Sequence, residues 1–95
     1  MSTETILALL KNRKDALFMR FHLKNMALFG SYSRTDFNNE SDIDILVEFE
    51  KTPGFEFIDL ADELEKILKT KVDLVSKNGI KPKYYKFIEN DLIYV

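Results

Sequence analysis

Apolar positions along this 95-residue chain change period several times, and each change marks a new element. Ile6, Leu9, Leu10 and Leu17 recur at helical spacing after the candidate cap Thr3 and first-turn Glu4, which predicts a helix over about 4–19 with its stripe in the core. Met26 to Phe29 is a short apolar run stopped by Gly30, as expected of a buried strand feeding a turn, and a short helix is expected from Ser33. Asp36 to Ser41 (DFNNES) is turn chemistry, and Ile43 to Phe49 is rich enough in Ile, Val and Phe to be a strand. After Thr52-Pro53-Gly54, the stripe Phe57, Leu60, Ala61, Leu64, Ile67 and Leu68 predicts an amphipathic helix over about 55–69. Val72 to Val75 reads as a further strand, Ser76 to Pro82 as a loop, Lys83 to Glu89 as a helix, and Leu92 to Val95 as a terminal strand or docking tail. The alternation points to an α+β fold, a small mixed β-sheet flanked by helices, in one domain spanning residues 1–95.

Composition narrows the class. There is no cysteine, which excludes a disulfide framework and any thiolate metal site and fits a reducing cytosol. No apolar run approaches a membrane span, so the chain is expected to be soluble and cytoplasmic. Charge is segregated: residues 1–35 carry six Lys/Arg against two acids, 36–65 one Lys against eleven acids, and 66–95 seven Lys against three acids. With a net charge of only −2, a long nucleic-acid partner is not expected, because gripping a phosphate backbone calls for a basic excess. The acidic middle invites a cation instead, although Glu56, Asp59, Asp62, Glu63 and Glu65 read as the solvated face of the 55–69 helix.

Two acids break the apolar strand. Side chains alternate between faces along a strand, so Asp42 and Asp44 project to one side and Ile43 and Ile45 to the other, which pairs the acids in space. Like charges this close are costly near a core unless a cation or protons neutralise them. Hard carboxylate oxygens suit Mg²⁺, with substrate phosphates and water completing its shell, and no His or Cys set points to zinc. Asp73 stands alone in the run Lys71-Val72-Asp73-Leu74-Val75; paired beside the Asp42 strand, it would complete a three-carboxylate face able to hold two ions for in-line displacement at phosphorus, with Asp73 available as a base. The bland alternative makes Asp42 a turn cap and Asp73 a solvent-facing strand residue. Gly30 lets a backbone approach a phosphate, Ser31 and nearby amides can hydrogen-bond its oxygens, and Arg34 can add positive charge.

Gly30-Ser31, ten intervening residues, then Asp42-Ile43-Asp44-Ile45 resembles the signature of the polymerase-β-like nucleotidyltransferase superfamily. The stretch GSYSRTDFNNESDIDILVEFE, with PGFEFIDLADELEKIL and KVDLVS, is similar to the minimal nucleotidyltransferase antitoxins. The resemblance implies a nucleotidyltransferase in which Gly30 and Ser31 hold the triphosphate and Asp42, Asp44 and Asp73 bind two Mg²⁺ ions, with ATP as substrate. It also implies a partner, a HEPN-family RNase toxin neutralised by transfer of AMP to one of its tyrosines. Ser33 and Thr35 stand where the family commonly has Ala and Gly; neither change removes a functional group, but Thr35 stiffens the turn. Two other readings stand beside this one: an antitoxin that inhibits by stoichiometric binding alone, and a nucleotidyltransferase acting on a small-molecule hydroxyl. Homo- or hetero-oligomerisation is left open. His22 reads as surface or packing, Lys81, Lys83 and Lys86 as solvated, and Tyr84, Tyr85 and Phe87 as either core completion or an interface.

Overall fold

The computed structural model describes residues 1–95. The long first helix, α1 (Thr3–Phe21), is capped by Ser2, whose hydroxyl accepts from the Thr5 N–H at 3.1 Å. The expected cap Thr3 is instead buried, and its hydroxyl donates to the Tyr32 carbonyl at 2.6 Å. Ile6, Leu10, Leu17 and Phe21 form the buried stripe of α1, and His22 ends the helix in the left-handed conformation. That role accounts for His22 without any chemistry.

Strand β1 (Leu23–Phe29) starts earlier than its apolar run, because Lys24 and Asn25 are exposed beside a register shift between Leu23 and Asn25. The one-turn helix α2 (Ser31–Arg34) follows Gly30 directly, two residues ahead of its expected start. Strand β2 (Ile43–Phe49) falls where its composition places it, and α3 (Glu56–Leu68) buries Leu60, Leu64 and Leu68 completely. Burying each leucine contributes about 1.5–3 kcal/mol. Strand β3 (Val72–Ser76) leads to α4 (Pro82–Ile88), a single 3-10 turn at Glu89–Asp91, and β4 (Ile93–Tyr94).

The four strands form one sheet in the order β3-β2-β1-β4, with β2 parallel to β3 and the other pairs antiparallel. Of the two forms expected for the terminal segment, it takes the strand, with Ile93–Tyr94 pairing with β1. One face, carrying Met26, Leu28, Ile43, Ile45, Val47 and Leu74, packs with α1 and α3 into the main core. On the other face Phe29, Leu46 and Ile88 form a small second cluster that seats α4, with Tyr85 and Leu92 at its margin. Period-2 alternation puts Asp44 on this second face, between the buried Ile43 and Ile45. No helix is long and apolar enough to cross a membrane.

Candidate active site

The site grows from the end of β1 and the start of β2. Phe29 and Asp44 are directly paired across the two strands, so the residue after Phe29 lies against the Asp44 carboxylate. That residue, Gly30, has φ +75° and ψ −152°, a region in which only glycine is at ease. A Cβ built there would overlap the carboxylate, lying 2.9 Å from the Asp44 Cγ. Two separate constraints, backbone conformation and lack of space, therefore require glycine at position 30.

The turn is held from several sides. The Ser33 and Arg34 N–H groups both donate to the Gly30 carbonyl at 3.0 Å. Tyr32 is buried, stacks on Phe37 with ring centroids 4.2 Å apart, and through its carbonyl ties the turn to Thr3. Ser33 donates to the Asp91 carbonyl. Thr35, standing where the resemblance expects glycine, takes the left-handed conformation with φ +68°, the backbone for which glycine is preferred.

The parallel register of β2 and β3 sets Asp44 beside Asp73. Burial, first, and repulsion from Asp73, second, push the Asp44 carboxyl up to about 6; a hydrogen bond with Asp73 and the charge of Asp42 add to this, and Arg34 opposes it. The three carboxylates named from the sequence thus interact, although Asp42 sits exposed just ahead of β2 and not within it. No three acidic or histidine side chains close on a common point as a ready-made metal cage. The donor set nonetheless fits a hard cation: carboxylate oxygens alone, clustered at the cost of a raised proton affinity that a divalent ion would relieve.

A cleft of about 590 Å³ opens here, lined by Gly30, Ser31, Arg34 and Asp44 from the β1–α2 turn and β2 and by Tyr84, Phe87 and Asp91 from α4 and the 3-10 turn after it. All three residues expected to meet the triphosphate therefore share one cavity with Asp44, whereas Asp42 and Asp73 are not in its lining and reach it only as neighbours of Asp44. Arg34 is already paired, with Asp91 at 2.9 Å and Asp36 at 3.1 Å, so any phosphate must compete for it. Asp91, Tyr84 and Phe87 were not among the expected site residues. The aromatic-rich end of the chain was visible, but nothing local ties it to the Gly-Ser turn; that link depends on α4 docking onto Phe29 and Leu46.

Comparison with known proteins agrees with this geometry. The family described as the nucleotidyltransferase domain matches residues 10–95. A chain of Methanocaldococcus jannaschii provisionally named a protein adenylyltransferase is 48% identical over 89 residues, covering 92% of this chain and 91% of its own length. Protein adenylyltransferase MntA of Thermococcus cleftensis is 38% identical over 96 residues, covering 100% of this chain and 97% of its own. A chain in the solved complex of tri-AMPylated Shewanella oneidensis HEPN toxin with MNT antitoxin superposes with a TM-score of 0.68 at 27% identity, over 92% of this chain and 69% of that one.

Proposed function

This chain belongs to the nucleotidyltransferase domain family, and on that premise we propose that it is an antitoxin that transfers AMP from ATP to a tyrosine of a HEPN RNase toxin, using Mg²⁺. Its small mixed sheet flanked by helices has the polymerase-β-like arrangement. The observation that carries the proposal is the close approach of Gly30 to Asp44, with Asp73 alongside, in the cleft that also holds Ser31 and Arg34. The name of the Thermococcus relative and the AMPylated toxin in the Shewanella complex support protein as the acceptor.

In this reading the Gly30-Ser31 turn receives the triphosphate: glycine leaves room for a phosphate oxygen, and the Ser31 hydroxyl donates to it. Asp42, Asp44 and Asp73 would hold the Mg²⁺, which when bound supplies charge neutralisation at the phosphates. The acceptor phenol attacks the α-phosphorus, a new P–O bond forms, and the bond to the bridging oxygen breaks. Pyrophosphate departs with that electron pair, and Asp73 takes the phenolic proton. A protein acceptor brings its own scaffold, so no basic excess is needed to hold it.

The test is direct. Incubating the chain with its HEPN partner, ATP and Mg²⁺ should add the mass of AMP to a partner tyrosine, read by intact-protein and peptide mass spectrometry. An unmodified partner whose RNase activity is nevertheless blocked would instead establish inhibition by binding alone.

A further inference from the structure

We propose that Tyr84 and Phe87, one turn apart on α4, form the platform on which the nucleobase of the bound triphosphate stacks. This inference rests on the reading of the cleft as a triphosphate site. α4 uses Ile88 and Tyr85 to dock on the sheet, which leaves Tyr84 and Phe87 facing away from that contact. Phe87 is 87% exposed and Tyr84 49%, so neither completes the core. Residues three apart on a helix are surface neighbours, and these two line the same cleft as Gly30, Ser31 and Asp44. They also border an adjoining depression of about 380 Å³, flanked by Lys81 and Lys83. The cavity is thus polar at the Gly-Ser turn and aromatic at α4, matching a ligand whose charged phosphates and flat aromatic base lie at opposite ends. Every nucleobase offers a π-face, so stacking supplies affinity for a base with little choice among bases.

Comparing Mg²⁺-dependent binding of ATP with that of inorganic tripolyphosphate, which lacks a base, isolates the platform. Tyr84→Ala and Phe87→Ala should each weaken ATP binding roughly tenfold and leave tripolyphosphate binding unchanged, while Tyr84→Phe should retain ATP affinity. Circular dichroism of each variant checks that α4 stays folded. Equal weakening of both ligands, or unchanged ATP binding with loss of HEPN-partner binding, would overturn the assignment, the latter giving the aromatic pair to the partner. If the wild-type chain binds tripolyphosphate and gains nothing from the base, the platform fails and the phosphate site stands. If the wild type, alone and with its partner, binds neither ligand, the triphosphate reading fails, and the platform with it.

Discussion

Asp44→Asn is expected to make the metal-free protein more stable and the enzyme nearly inactive. The folded environment holds the Asp44 carboxyl at about 6 against an ordinary 3.8. That difference corresponds to at most about 3 kcal/mol against the charged form, and to about 1–2 kcal/mol once allowance is made for the side chain's partial exposure to water. The sign follows from linkage: because the folded-state value is raised, Asp44's contribution to stability is fully present below about pH 4 and is lost as pH rises through about 6. Asparagine keeps the shape and drops the charge. In EDTA at pH 7.5 its melting temperature should therefore exceed wild type by about 5–10 °C, with the gap closing toward pH 4. AMP transfer should fall on the order of a thousandfold, because the charge proposed to hold the metal is gone. Equal melting temperatures at pH 7.5 would show that the carboxylates are not in conflict.

Gly30→Ala should damage both stability and transfer. Alanine cannot adopt φ +75°, ψ −152° without a strain of about 1–3 kcal/mol, and its methyl group would displace the Asp44 carboxylate. Denaturant melts should show a loss of at least about 2 kcal/mol, and transfer should drop even where the protein remains folded. Gly79→Ala is the control: a Cβ there meets nothing within 4 Å, so stability should change little.

Much of this was legible because it depends on local pattern. β2 follows from its Ile, Val and Phe content and α3 from its apolar stripe, and the pairing of β3 beside β2 brings Asp73 to Asp44 as the isolated acid in an apolar strand suggested. What escaped depends on contacts distant in sequence. The start of β1 is concealed by exposed Lys24 and Asn25, which are tolerated because Glu48 accepts from the Asn25 side chain across the sheet at 2.8 Å. Ser2 and Thr3 are both competent caps; the choice falls to Ser2 because Thr3 is drawn to the Tyr32 carbonyl, 29 residues away. Asp42 falls outside the strand since β2 begins at Ile43, whose N–H bonds the Lys71 carbonyl at 3.0 Å. The contributions of Asp91, Tyr84 and Phe87 to the cleft follow from α4 seating on Phe29 and Leu46, which no short window of sequence encodes.

In the proposed site, three carboxylates beside a glycine-serine turn gather metal and triphosphate. A crystal structure with Mg²⁺ and a non-hydrolysable ATP analogue tests it most directly. Metal density ligated by Asp42, Asp44 and Asp73, with phosphate oxygens against Gly30 and Ser31, is the expected result. A nucleotide seated elsewhere, for instance in the depression between His22 and Pro53, with the three aspartates free of metal, would contradict the account.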